Sequence, residues 1–253
     1  MKKGFTLAEV ILTLSIIGVI AAITIPTMIH ETNKKATIEQ LKKSASTLNQ
    51  AVYNSTVTNG TVMSWSWSTK DGVMDIMQNI IAPRLNVGYK CSGDVTGLNS
   101  QCTYSIQNIK GEEIANESFE SKSRVILNDG SMIAFSKGFV TQTEVDDAKN
   151  DATGDSNKTG SDCTWGGDSK AVCGIFMVDV NGSKKPNMVG KDVFFFGLHL
   201  SGSVLPYGAE KDEEFIDQHC TEGSDGSTCA AKLAKEGWDV CYTGCQYPYP
   251  VKF

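Results

Sequence analysis

KGFTLAEVILTLSIIGVIAAITIPTM, residues 3–28, sets one carboxylate, Glu9, at the head of an apolar run. From Val10 to Met28 no residue is charged. As a helix, residues 5–28 would span about 36 Å, enough to cross a hydrocarbon core. Lys2 and Lys3 precede the run and favour a cytoplasmic N-terminus. A cleaved secretory signal fits the lysines and the apolar run, but not Glu9, and no Ala-x-Ala site closes the segment. A plain signal anchor fits the length and gives Glu9 no purpose. A buried core helix needs an apolar enclosure that the rest of the chain is too polar to provide.

The whole chain has 253 residues, with 23 Lys and Arg against 29 Asp and Glu, a formal charge of -6. This balance argues against a nucleic-acid footprint, which needs clustered positive charge, so no direct nucleic-acid partner is expected. All eight cysteines, Cys91, Cys102, Cys163, Cys173, Cys220, Cys229, Cys241 and Cys245, follow the first 90 residues. An even count beyond an N-terminal membrane segment reads as disulfides in an oxidising compartment. Sequence neighbours close short loops, which singles out Cys91–Cys102 and Cys163–Cys173. Zinc is the rival reading, but only Cys241 and Cys245 are closely spaced and no tight second pair accompanies them.

Gly4-Phe5-Thr6-Leu7-Ala8-Glu9, followed by the apolar run and Pro26, resembles the prepilin cleavage and methylation motif of type IV pilins and type II secretion pseudopilins. The motif occupies about the first 30 residues, and family-like spacing extends to about residue 55. The resemblance implies cutting after Gly4 by a prepilin peptidase, with Phe5 as the methylated mature N-terminus. It implies that Glu9 meets the new amine of a neighbouring subunit during assembly. Physics agrees with such a role. An ionised carboxylate in lipid is expensive and usually functional, and pairing it recovers part of the desolvation cost. The bland alternative is that Glu9 snorkels at the interface. Gly18 and Pro26 read as points of close packing and helix extension in a filament core, or as ordinary membrane-helix usage.

Beyond the membrane segment, Ile38, Leu41, Ala45, Leu48 and Val52 recur at three- and four-residue spacing, one apolar stripe on a helix. The pattern predicts a helix to about Asn54, ending near Thr56–Gly60. The expected organisation is a leader, residues 1–4; a transmembrane or filament-core helix, 5–28; an amphipathic stalk, 29–55; and a disulfide-bearing head, 56–253. The fold class is α+β, a long N-terminal helix packed against a small antiparallel sheet at about 122–205. This is the arrangement of the pilin-like family.

Within the head, "VMSWSWS" places Trp65 and Trp67 on one face of a short strand, as core or as a surface for stacking on a ligand, with core favoured. A short amphipathic helix is expected over Val73–Ile81, ending before Pro83. Two strands flank the turn Asn128-Asp129-Gly130. "AVCGIFMVDV" and "DVFFFGLHLSGSVLPYG" supply further strands, and "CAAKLAKEGW" a final helix. Residues 141–162 form an acidic surface loop, whose Asp146, Asp147, Asp151 and Asp155 are a second cation candidate. In the loop 179–192, Asp179, Asn181, Asn187 and Asp192 offer oxygens suited to calcium, against the alternative of a turn built on Asx hydrogen bonds.

No enzyme is expected. His30, His199 and His219 lack metal spacing, and no phosphate-binding loop, dinucleotide fingerprint or nucleophile elbow is present. The function expected is that of a structural subunit of a type IV pilus or related filament. The alternatives are a type II secretion pseudopilin or, in another class, a membrane-anchored extracytoplasmic binding module with Trp65 and Trp67 as its surface. The partners implied are the prepilin peptidase, other subunits in a homo- or hetero-polymer, and an inner-membrane assembly platform with its ATPase. The location implied is the inner membrane before assembly, and a surface pilus or periplasmic pseudopilus after it.

Overall fold

The computed structural model describes residues 4, 6–65, 67, 70–91, 102–114, 123–137 and 172–238. Phe5, Cys163, Cys241, Cys245 and the acidic loop 141–162 lie outside the described residues. One helix, α1 (Leu7–Asn59), runs for 53 residues. At 1.5 Å per residue it is about 80 Å long. Its halves have different fates because their sequences differ. None of the span Leu7–Pro26 is buried, whereas Ile38, Leu41, Leu48 and Val52 are buried and Ala45 is packed against them. The stripe read from the spacing is therefore the face that meets the head. The helix stops at Gly60, whose φ of 80° breaks the helical path.

Among the described residues, six antiparallel strands form an open sheet in simple chain order: β1 (Val87–Lys90), β2 (Arg124–Leu127), β3 (Met132–Lys137), β4 (Val172–Asp179), β5 (Val193–His199) and β6 (Val204–Pro206). The turn at Asn128-Asp129-Gly130 joins β2 to β3 as expected. The Ser201-Gly202 turn joins β5 to β6, with Gly202 N–H donating to His199 O at 2.9 Å. Alternate side chains take opposite faces. Phe135, Phe176, Val178, Phe194, Phe196 and Leu198 face the core that includes the α1 stripe. Met132, Ala134, Ile175, Met177, Val193 and Phe195 form a second apolar layer with Ile106 and Val189. Covering both faces explains why β4 and β5 read as continuous apolar runs rather than alternating ones.

The sheet begins earlier than the expected 122–205, because β1 adds an edge strand at Val87–Lys90. The described residues of "VMSWSWS" make no strand. They form a 3-10 turn, Val62–Ser64, which drives both tryptophans inward. The expected Val73–Ile81 helix is divided into α2 (Lys70–Asp75) and a π-helical turn, Ile76–Ile81, followed by a 3-10 turn, Ala82–Arg84, that contains Pro83. Two short helices close the described chain, α3 (Glu213–Gln218) and α4 (Cys229–Lys235), and only the second is announced by its sequence pattern. The Cys220–Cys229 disulfide ties them together. Cys91–Cys102, a short-loop pairing, bridges β1 to the following segment. Cys173 is also disulfide-bonded.

Candidate functional site

The start of α1 is a capping box. Thr6 is its N-cap, and its hydroxyl accepts from the Glu9 backbone N–H at 3.3 Å. In return, Glu9 Oε2 accepts from the Thr6 backbone N–H and hydroxyl, each at 2.8 Å. A carboxylate three residues into a helix thus satisfies donors that the first turn leaves open. The T-x-x-E spacing that specifies this box was present in the sequence. It gives Glu9 a partner within its own chain before any second subunit is involved.

The rest of the exposed span is prepared for an environment without water. Thr13 donates to the carbonyls of Glu9 and Val10, at 3.0 and 2.9 Å. Ser15 donates to Ile11 O at 2.8 Å and Thr24 to Ile20 O at 3.0 Å. Each hydroxyl is consumed by its own helix, as lipid demands of polar groups. Nothing lies within 4 Å of a side chain built at Gly18, so that position is open to a neighbour. Pro26 lies inside the helix, on the exposed side of the chain. Gly4 is exposed and stands just outside the cap.

The other sequence candidates are placed differently. Trp65 and Trp67 are 5% and 4% exposed and stack with their ring centroids 6.4 Å apart. Their indole N–H groups donate to Gly60 O and Val62 O. They are core residues, and the proposed stacking surface is corrected accordingly.

Asp179, Asn181, Asn187 and Asp192 do come together, at the loop joining β4 to β5. Their oxygens are largely taken up by donors. Asp192 accepts from the backbone N–H of Asn187 and Met188, at 2.9 and 2.7 Å, and from the Asn181 amide at 3.2 Å. Asp179 accepts from the Asn181 N–H at 3.2 Å and from the Tyr104 hydroxyl at 2.6 Å. The carboxylates hold the loop closed from within by Asx hydrogen bonds, while Oδ1 of Asn181 is buried with no hydrogen-bond partner. Burial, aided by the nearby Asp192, pushes the Asp179 carboxyl up to about 8 against the hydrogen bonds it accepts. Burial likewise raises Asp192 and Tyr104. Arg124, 2% exposed, donates to Cys102 O at 2.7 Å and lies within the electrostatic reach of Tyr104. These long-range partners were not visible in the local pattern.

Among the described residues, no group of three or more His, Cys, Asp and Glu side chains converges to hold a metal. His199 is buried in β5, and His219 stacks on Phe215.

The family of Prokaryotic N-terminal methylation motifs matches residues 1–25. The Family of unknown function (DUF6613) matches residues 27–253. No curated protein and no solved structure matches the chain. The methylation motif therefore coincides with the capped, exposed half of α1. The remainder of the chain, stalk and head together, belongs to the DUF6613 family.

Proposed function

We propose that the chain is a structural subunit of a type IV pilus or related filament, assembled through α1 after processing between Gly4 and Phe5. The observation that carries this reading is the division of a single helix. Its stalk half is packed under the head, while Leu7–Pro26 is apolar and is left uncovered by the described residues of the head. A membrane first, and the helices of other subunits later, would cover that span. Residues 1–4 are then the leader, 5–28 the membrane and filament-core segment, 29–55 the stalk and 56–253 the displayed head. The prepilin peptidase, an assembly platform and its ATPase are the partners that this life cycle requires. Glu9 supplies the charge for register between subunits.

Shearing of native cells tests the reading. The head should appear in the sheared surface fraction of wild-type cells and be depleted there, but retained in membranes, when the prepilin peptidase is removed. Equal release with and without the peptidase would contradict it. A head that stays in the periplasm of intact, peptidase-proficient cells in a fibre would instead identify a secretion pseudopilin.

A further inference from the structure

The loop from β4 to β5 sets two carboxylates together out of water. Asp179 is 0% exposed and Asp192 2%, and the charge of Asp192 acts against that of Asp179. The donors that meet them come from Tyr104, Asn181, Asn187 and Met188, and all are neutral. Among the described residues, neither acid forms an ion pair with a lysine or arginine. Buried charges are ordinarily paired or bound to a metal.

Asn181 joins the two acids. Its backbone N–H donates to Asp179 Oδ1 at 3.2 Å, and its Nδ2 donates to Asp192 Oδ2 at 3.2 Å. The same carboxamide carries Oδ1, which is buried and has no hydrogen-bond partner. Turning the amide over does not relieve it. Oδ1 would then face the Asp192 carboxylate, and that carboxylate would lose a donor. A buried acceptor left bare bears its whole desolvation cost.

We propose that Asp179, Asp192 and Oδ1 of Asn181 bind one calcium ion, which locks the loop between β4 and β5. A single divalent cation balances both carboxylates and gives the bare oxygen its partner. Calcium takes six to eight oxygens, from carboxylates, amides, backbone carbonyls and water alike, so loop carbonyls and water complete the set. It also tolerates irregular geometry where magnesium demands an octahedron. The preference for calcium draws on the proposed export of the head; binding by the purified chain does not depend on it. Without the ion, a proton on Asp179 relieves the repulsion, so protons and calcium compete for that carboxyl. Gly182, next in the chain, lies against the Gly130 carbonyl of the β2–β3 turn. The ion therefore stiffens two loops at the same end of the sheet.

The test uses the full chain in detergent, stripped with a chelator and then titrated with calcium chloride at neutral pH. Calorimetry should report one site per chain with a dissociation constant of about 0.1–1 mM, the range of exported calcium modules. Calcium at about 10 mM should raise the melting temperature by at least about 3 °C, and the chelator should reverse the rise. Asn181→Ala removes only the bare oxygen's amide and should weaken binding at least tenfold; Asp179→Asn should abolish it. A wild-type chain whose melting temperature and calorimetric trace ignore calcium would overturn the proposal, leaving a proton and a buried water to satisfy the loop. That outcome is read on the wild type, whether or not a variant folds. Binding that persists undiminished in both variants would also overturn it, by placing the ion elsewhere, with Asp146, Asp147, Asp151 and Asp155 the other candidates.

Discussion

The side chain of Asn49, on the stalk, binds Val204 of the edge strand β6 through both of its backbone polar groups. Asn49 Nδ2 donates to Val204 O at 2.7 Å, and the Val204 N–H donates to Asn49 Oδ1 at 2.9 Å. The carboxamide takes the place that a seventh strand would occupy. An edge strand with open backbone groups invites pairing with another chain, and here the helix closes that edge while fixing its own rotation against the sheet. Asn49→Leu would strand two backbone groups. It should lower head stability by about 1–3 kcal/mol, read as an earlier denaturation midpoint of the full chain in detergent. An unchanged midpoint would mean that the apolar stripe alone seats the helix.

The buried Asp179 carboxyl gives the head a distinct pH response. Its value is about 8 when folded against 3.8 for the free group, with burial as the leading cause. Over that interval the folded chain holds more protons than the unfolded one, so this contribution to stability is full below about pH 4 and is lost as pH rises through about 8. The raised Asp192 acts in the same direction. Melting temperature should therefore fall between about pH 6 and pH 9. Asp179→Asn, which keeps an acceptor for Tyr104, should flatten the profile. A wild-type melting temperature that rises with pH across this range would refute the assignment.

Gly182 tests how rigid the loop between β4 and β5 is. Its φ is +66°, and an added Cβ would run into the backbone carbonyl of Gly130 in the β2–β3 turn. Neither a side chain nor the backbone can yield cheaply there. Gly182→Ala should cost at least about 2 kcal/mol, whereas Gly223→Ala, with open space around it but a similar φ, isolates the conformational part. Equal losses at both sites would show that contact with the Gly130 carbonyl is unimportant.

Glu9 and Thr6 can be separated by substitution. Glu9→Ala should leave the head folded and lower incorporation into fibres, because the charge offered to the neighbour is gone. Thr6→Val removes one cap and should loosen the first turn by about 1 kcal/mol while retaining that charge. Its effect on incorporation should be the smaller one. Fibre yields that are normal for Glu9→Ala would contradict the role of Glu9 in register.

The sequence revealed what depends on short-range spacing. The uncharged run after Glu9 and the stripe Ile38-Leu41-Ala45-Leu48-Val52 are local signals, and the helix follows them. The Asn128-Asp129-Gly130 turn is equally local. What escaped depends on distant partners. Asn49 finds Val204 155 residues away, and Tyr104 finds Asp179 75 residues away. Trp65 and Trp67 alternate like strand residues, yet a 3-10 turn buries both, because their indole N–H groups have carbonyl partners close behind them. Residues 179–192 were rich in oxygen ligands as read. Which oxygens remained free depended on backbone N–H groups that only the folded loop brings to them. The helix α3, with Glu213 and Glu214 in its first turn, lacked the apolar periodicity that announces a helix, although Asp212 caps it.

The filament account is tested most directly by mass spectrometry of the N-terminal peptide from the chain sheared off native cells. The account predicts a peptide beginning at methylated Phe5, with the leader absent. Chain retained in membranes and still beginning at Met1 or Lys2, with none in the sheared fraction, would contradict it.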